Sequence, residues 1–541
     1  MKMHQLLADG LRQLGVGHLF GLIGDANLFL VQAYCTAGAG RYVACNHEAN
    51  AVLAAIGYAQ TTGRTGVATV THGPGLTNCA TALTEAARGG IGLVLLCGDT
   101  APGDAQHLQN TNQRALVEAT GAAFVELRGP DMALSDLEQA FRIAALQRRP
   151  VVFNMRVDLQ WADVTPQKTG FAITRPQSQP AGGEALEEAV AMIASARRPL
   201  VLAGRGAMDD AARAALVALA TRLEAPLATT LKAQALFHRE PFDLGISGNL
   251  SHPTAIDTIM KSDCIIAFGA SLGKYTTEGG AYLKGKRVIQ VLADTHETPW
   301  LETPDIRLIG DIAGTARAMA ELLDLAEIPG SAATDSALAE GLAAEAAARA
   351  APLPFAQTAP GTVDFIPALR RLNQALPQER VLVADLGRFV FSVWRNLPVT
   401  RPQDLVFTAH FGGIGCGTGQ AIGAAVAVPD RPTVLVAGDG GFVLSGVGEL
   451  SVIAREQPDM VIILCNDGSY GAEYIQFANR NLPTDLSMIA PPDFAALGTA
   501  AGIASLCVRD EAELDAACRA IRDRKGPLMI DLRLDPAKIE K

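Results

Sequence analysis

The sequence predicts an α/β protein of three doubly wound domains with mostly parallel sheets. Three observations point there. Short apolar runs of strand length alternate with longer helical stretches along most of the chain. At 541 residues the chain exceeds what one core can organise, so three or four compact units are expected. Hydrophobic residues make up 49% and aromatics only 5%, which suits close helix-on-sheet packing and excludes a largely disordered protein.

The first domain is expected at residues 1–165. Strand-like runs fall at His18–Leu22, Gly66–Thr71, Gly92–Cys97 and Val151–Met155, with helical stretches at Glu48–Thr61 and Leu76–Arg88. The polar, proline-containing segment Thr165–Gly183 reads as a linker. A second domain at residues 184–330 opens with a helix and the strand Pro199–Ala203, and strand-like runs recur at Cys264–Phe268 and Val288–Val291. Ser331–Pro354, nearly all alanine and glutamate, reads as an exposed helix and connector. The third domain, residues 358–541, has strands near Val381–Ala384, Thr433–Ala437, Met460–Cys465 and Leu528–Leu532. It matches the first in size and alternation, as two related domains facing each other would.

The bulk numbers narrow the function classes. A formal charge of −11 argues against a nucleic-acid surface. The nine cysteines are dispersed with no C-x-x-C pair, the pattern of reduced core thiols in a cytoplasmic protein. Charged residues interrupt the N-terminus before any signal-peptide run forms, and no apolar stretch approaches the roughly 18 residues of a membrane span.

The third domain carries the densest chemistry. Val434-Leu435-Val436-Ala437 is an apolar strand that runs straight into Gly438-Asp439-Gly440-Gly441. Glycines there let backbone N–H groups approach an anionic diphosphate, and a helix starting near Val447 would aim its positive end at it. Asp439 offers the hard oxygen that Mg²⁺ prefers beside diphosphate oxygens. Alone, such a turn is a weak signal. The next strand, however, ends at Asn466-Asp467-Gly468-Ser469-Tyr470-Gly471, setting a second oxygen-bearing strand end beside the first. Upstream lie Asp385-Leu386-Gly387 and the glycine-rich Phe411-Gly412-Gly413-Ile414-Gly415-Cys416-Gly417.

This set resembles the diphosphate motif of thiamine-diphosphate enzymes of the acetolactate synthase, benzoylformate decarboxylase and pyruvate oxidase type. That motif opens with Gly-Asp-Gly and closes with Asn-Asn or a close variant. The resemblance implies thiamine diphosphate and Mg²⁺ as cofactors. It gives Asp439, Asn466, Asp467 and the Ser469 carbonyl to the metal. To the organic cofactor it gives Asp385, Gly387, Gly412, Ile414, Gly438, Gly440, Gly441, Tyr470 and Gly471, with Ile414 as the wedge that bends it. The closing pair here is Asn466-Asp467 where the family usually has Asn-Asn. Counting from Asp439 favours Asn466 as the ligand; counting from Glu449, or back from Tyr470-Gly471, favours Asp467. One extra residue in the loop Gly446-Val447-Gly448 reconciles the counts, and Asp467 is preferred.

In the first domain, Asn46-His47-Glu48-Ala49-Asn50 leads into a helix through Gly57-Tyr58-Ala59, similar to the family's His-Glu and Gly-Tyr-Ala pattern. The resemblance makes Glu48 the catalytic acid that hydrogen-bonds the cofactor's pyrimidine and promotes loss of its C2 proton. Taken alone, Glu48 is a first-turn acid favoured by the helix dipole. Thr71-His72-Gly73-Pro74-Gly75-Leu76-Thr77-Asn78 matches the family's Gly-Pro-Gly-x-Thr-Asn turn. His72 within it is either a proton shuttle or a structural histidine satisfying the loop. Leu108-Gln109 resembles the family's aromatic-Gln pair, which makes Gln109 a candidate for binding a substrate carboxylate or carbonyl, with Gln106 and His107 as neighbours.

Leu202-Ala203-Gly204-Arg205-Gly206, Thr229–Lys232 and Phe268-Gly269-Ala270 resemble the family's nucleotide-binding-like central domain. The arginine-rich stretch that helps hold FAD in acetolactate synthases is replaced by Ser271–Thr277, which has no arginine, so FAD is possible but not favoured. The resemblance implies a homodimer or homotetramer with active sites between subunits, because Glu48 and Asp439 would otherwise not share a cofactor. The leading expectation is a decarboxylase or carboligase of a 2-oxo acid or related small carbonyl substrate. The rivals are a lyase of 2-hydroxyacyl-CoA or a diketone, and a flavin-linked 2-oxo-acid oxidase. True acetolactate synthase is disfavoured: Ala472-Glu473-Tyr474-Ile475-Gln476 lacks that enzyme's tryptophan, and Glu473 brings a carboxylate instead.

Overall fold

A computed structural model describes residues 1–36, 38, 40–165, 173, 178–294 and 304–539. Most of the expected linker at 165–183 lies outside the described residues. Three domains each hold a six-stranded parallel sheet flanked by helices. The first sheet spans His18–Gly21 to Pro150–Arg156, and its strands lie in the chain order second, first, third, fourth, sixth, fifth. The third sheet, from Val381–Ala384 to Leu528–Arg533, repeats that order. The two domains therefore share a topology as well as a size.

The strands form where the sequence is continuously apolar because both sheet faces are covered. Val434, Leu435, Val436 and Ala437 are all fully buried between neighbours at Val381–Ala384 and Met460–Asn466. Each large apolar side chain removed from water in this way contributes roughly 1.5–3 kcal/mol.

The first and third domains belong to one compact unit. Their junction is the pair of helices Glu48–Thr62 and Gly417–Ala427, which lie backbone to backbone. A methyl group on Gly57 would stand 2.0 Å from the Gln420 carbonyl oxygen, and one on Gly423 would stand 1.9 Å from that of Ala54. Gln60 ties the edge of the junction, donating to the Phe407 carbonyl at 3.1 Å and to Gln420 at 2.9 Å.

The second unit comprises Pro176–Leu353 and Trp394–Leu405. Its sheet runs from Ile306–Ile309 through Arg287–Leu292, Cys264–Phe268, Pro199–Ala203 and Leu227–Thr229 to Asp243–Ile246. The alanine-rich segment forms the helix Ser336–Ala350, which buries Leu338 and brings Glu345 to the Thr254 hydroxyl.

Two helix expectations need correction. Leu76–Arg88 is two pieces, Pro74–Thr77 and Ala80–Gly89, because the Cys79 N–H bonds back three residues to Leu76 and tightens the chain between them. The helix that the Gly-Asp-Gly turn opens does not start near Val447. The helix after the Gly-Asp-Gly turn is Asp439–Ser445, anchored by buried Phe442, and the chain then turns through Gly446-Val447-Gly448 before Leu450–Glu456. Among the described residues, no helix is long and apolar enough to cross a membrane.

Replacing Gly423 or Gly57 with alanine forces the two helices apart. We expect an apparent loss of about 1–3 kcal/mol or more, read as a lower urea midpoint. Gly103→Ala, at an exposed position with nothing within 4 Å of the added methyl, serves as the neutral control.

Candidate active site

In both the first and third sheets the winding direction reverses between the first and third strands. Helices leave to opposite sides there, opening a crevice at the strands' carboxyl ends. In the third domain this point lies between Val381–Ala384 and Thr433–Gly438, so Asp385 and Asp439 emerge side by side. In the first it lies between His18–Gly21 and Gly66–Val70, so the Leu22–Asp25 turn meets Thr71-His72-Gly73.

Asp385 is a buried clamp. Its carboxylate accepts from the Leu386, Gly415 and Cys416 N–H groups at 2.9, 2.9 and 3.2 Å, and from that of Gly417. Burial pushes its pKa up to about 6 against the opposing pull of those bonds. The clamp fixes the Gly412–Gly417 loop and leaves Ile414, an aliphatic side chain, 37% exposed at its tip. Gly387 lies where a methyl would strike the Phe389 ring.

Asp439 is also buried. It accepts from the Gly440 N–H at 2.8 Å and the Gly468 N–H at 2.7 Å. Burial first, and the charge of Asp467 second, push its pKa up to about 7. Asp467 is raised by burial as well, and accepts from the Ser469 N–H at 3.0 Å. Asn466 turns elsewhere, its amide donating to Asp531 at 2.8 Å. The Ser469 side chain is buried beside the Asp467 carboxylate and opposes the rise in its pKa. Gly440 and Gly441 let the backbone pass close to its neighbours: a methyl on the first would meet the Tyr470 ring at 2.8 Å, and on the second the Asp385 carboxylate at 2.9 Å. Gly471 opens the next helix against Asp467 and Arg388. Two buried carboxylates at neighbouring strand ends, the charge of Asp467 raising the pKa of Asp439, beside close-packed glycines that leave backbone N–H groups unscreened by side chains, suit a divalent cation with an anionic ligand.

In the first domain, Glu48 is the first residue of its helix and accepts from the Asn78 amide at 3.0 Å. His72 is buried, and desolvation lowers its pKa and keeps it neutral. Its Nε2 has no partner. The His107 ring lies 5.0 Å away, and Asp25 accepts from the Thr71 hydroxyl at 2.9 Å. Ligand-type atoms of Asp25, His72 and His107 all fall within 4.8 Å of one another. His107 Nδ1 accepts from the Gln109 N–H at 3.2 Å, so the neutral ring carries its proton on Nε2. Gln109 reaches this group because Gly73, at φ 57°, has no side chain: a methyl would stand 2.5 Å from the Gln109 carbonyl oxygen. The Gln109 side-chain oxygen is buried without a partner, whereas neighbouring Leu108 is fully exposed.

Sequence reasoning missed several residues here. Gln113 accepts from the Gly73 N–H at 2.9 Å and donates to Asn154 at 2.7 Å, which donates in turn to Asp99 at 2.7 Å. Asp25 was missed too, although it sits one strand end away from His72, and the two-strand crevice itself was the signal for it. Arg388 lies near Asp467. Glu85 and Glu449, single acids in apolar surroundings, are fully buried.

Three models of thiamine pyrophosphate enzymes match the chain: the N-terminal TPP binding domain over residues 1–119, the central domain over 186–322, and the C-terminal TPP binding domain over 385–532. A probable 2-ketoarginine decarboxylase of Pseudomonas aeruginosa is 28% identical, over 98% of this chain and 93% of its own. The large subunit of acetolactate synthase isozyme 2 of Escherichia coli is 27% identical, over 98% and 95%. An acetolactate synthase of Mycobacterium bovis is 27% identical, over 97% and 87%.

The Asp385 clamp gives a direct expectation. In Asp385→Ala the amides of Gly415–Gly417 lose a charged acceptor, and their hydrogen exchange should rise by about 10- to 100-fold, measured by mass spectrometry on the full chain. Protection at the wild-type level would remove the clamp role.

Proposed function

On the premise that this chain belongs to the thiamine pyrophosphate enzyme family, we propose that it is a Mg²⁺-dependent decarboxylase or carboligase of 2-oxo acids or related carbonyls, of the acetolactate-synthase-like kind. The observation that carries the reading is the pair of buried carboxylates at neighbouring strand ends, Asp439 and Asp467, beside the close-packed glycines Gly440 and Gly441. The matching of relatives that bear both decarboxylase and acetolactate synthase names supports the reaction class.

Asp439, Asp467 and the Ser469 carbonyl would hold the metal, and the Gly440 and Gly441 region the diphosphate. We prefer Asp467 to Asn466 because its buried carboxylate brings a negative charge that acts on Asp439. Tyr470, Gly471, Gly438, Gly412 and Asp385 shape the same cradle, and Ile414 would support the cofactor's bend. Bound there, thiamine diphosphate supplies a nucleophilic carbon and an electron sink for breaking or forming a carbon–carbon bond. Glu48 holds a proton at the cofactor's pyrimidine. His72, kept neutral by burial, can accept a proton at its free Nε2, and His107 can donate from its own Nε2. Gln109 offers its free side chain to the substrate's carboxylate or carbonyl.

A homodimer or homotetramer follows from this reading. Phe411, Ile414, Leu444 and Leu486, on the elements that build the third-domain crevice, are 42%, 37%, 68% and 88% exposed, as expected of surface that a partner covers. The unpaired state of all nine cysteines supports a cytoplasmic setting.

Three outcomes are expected. Asp467→Ala abolishes cofactor retention in equilibrium dialysis with Mg²⁺, while Asn466→Ala is milder; the opposite order would sink the assignment. Glu48→Gln removes nearly all CO₂ release across a panel of 2-oxo acids, and release at the wild-type rate would refute its role. Metal binding requires both carboxyls ionised, so protons compete below about pH 7, where ligand-free Asp439 titrates. Mg²⁺ affinity should then fall by about tenfold per pH unit as the pH drops. In the ligand-free chain the sign is opposite. A carboxyl raised above its unfolded value near 4 loses stability as pH climbs from there to about 7, so the unfolding temperature should be higher at pH 5.5 than at 7.5.

A further inference from the structure

Two buried glutamates outside both crevices form a reciprocal pair. The first and third domains share a strand order, so their parts correspond. In each, a loop follows the second strand and leads into the central helix: residues 46–47 before Glu48–Thr62, and residues 410–411 before Gly417–Ala427. Each domain also places a glutamate after its third strand, Glu85 in the first and Glu449 in the third.

Each glutamate grips the other domain's loop by consecutive backbone N–H groups. Glu449 is 1% exposed and accepts from the Asn46 N–H at 3.1 and 3.3 Å, from the His47 N–H, and from the Asn50 amide at 3.1 Å. Glu85 is 0% exposed and accepts from the His410 N–H at 2.9 Å and the Phe411 N–H at 2.6 Å. Around Glu85, the same helix face brings Thr81 to Gly413 and sets the Arg88 guanidinium 5.0 Å over the Phe411 ring. Around Glu449, the Asn46 amide also reaches Ser451 at 2.6 Å.

We propose that Glu449 and Glu85 are positioning residues: Glu449 sets the helix start that presents Glu48, and Glu85 sets the loop that presents Ile414. Each side of the cofactor cradle is thus aimed by the domain opposite it in the chain. A buried carboxylate suits this task because it receives several N–H donors at once, and each such charge-assisted bond is stronger than a neutral one. Glutamine at either position keeps the shape but turns an NH₂ toward N–H donors.

The proposal rests on the role given to Glu48, and the experiment separates the two. In the cofactor-free full chain, amide exchange is read on peptides covering residues 44–50 and 408–416. Glu449→Gln should raise exchange in the first peptide and Glu85→Gln in the second, each by about 10- to 100-fold. With Mg²⁺ and thiamine diphosphate added, the C2 hydrogen–deuterium exchange of the bound cofactor is followed by quenched NMR, and its Kd by fluorescence. Glu449→Gln should slow C2 exchange by about tenfold or more, with Kd close to wild type because Asp439 and Asp467 are untouched. Asn50→Ala, which removes one donor to Glu449 and leaves every acid in place, should slow it less. C2 exchange at the wild-type rate in Glu449→Gln, or a slowing matched by an equal loss of cofactor affinity, would overturn the proposal. If Glu48→Gln itself exchanges at the wild-type rate, the role of Glu48 fails instead, whatever Glu449 does.

Discussion

The contact on which the rest depends is the glycine-to-carbonyl approach between the helices Glu48–Thr62 and Gly417–Ala427. Only hydrogen on Gly57 and Gly423 lets the two backbones come this close. The contact fixes one rigid helix pair, and the start of each helix carries a loop of one crevice: Glu48 at one, the Gly412–Gly417 turn at the other. Because packed interiors deform little, a displacement at this junction is passed to both helix starts.

Two copies of one topology meet at this junction, and their chemistry has diverged at corresponding points. Both winding reversals bear an acid. In the third domain Asp385 and Asp439 surround a glycine cradle; in the first, Asp25 stands beside His72 and His107. The first crevice offers imidazole nitrogen atoms, the second buried carboxylate oxygen atoms. One scaffold thus carries two chemically different crevices.

Much of this was legible in the sequence, for identifiable reasons. Central strands such as Pro199–Ala203, Cys264–Phe268 and Val381–Ala384 are buried on both faces and announce themselves as unbroken apolar runs. Edge and short strands do not. Arg41–Ala44 and Asp243–Ile246 carry mixed residues because one side meets solvent or a loop, and Leu405–Phe407, though apolar, is only three residues long. The Gly-Asp-Gly turn was visible because its glycines and acid are adjacent in the chain. The helix it begins was misplaced to Val447, since two glycines at the start of Asp439–Ser445 mask helical character that burial of Phe442 supplies. Residues whose partners lie hundreds of positions away, such as Glu85 with His410 and Glu449 with Asn46, give no local signal at all. The Asn466 amide's partner, Asp531, is likewise one that no spacing rule contains.

The opposed carboxylates Asp439 and Asp467 have a consequence beyond catalysis. Left without a cation, they burden the fold with a repulsion that packing elsewhere must overcome. A ligand that relieves it stabilises the folded chain by mass action, in proportion to the logarithm of its concentration. On the metal role proposed for them, the stability of the folded chain becomes a gauge of free divalent cation. Copies lacking the cation would open more often than those that carry it.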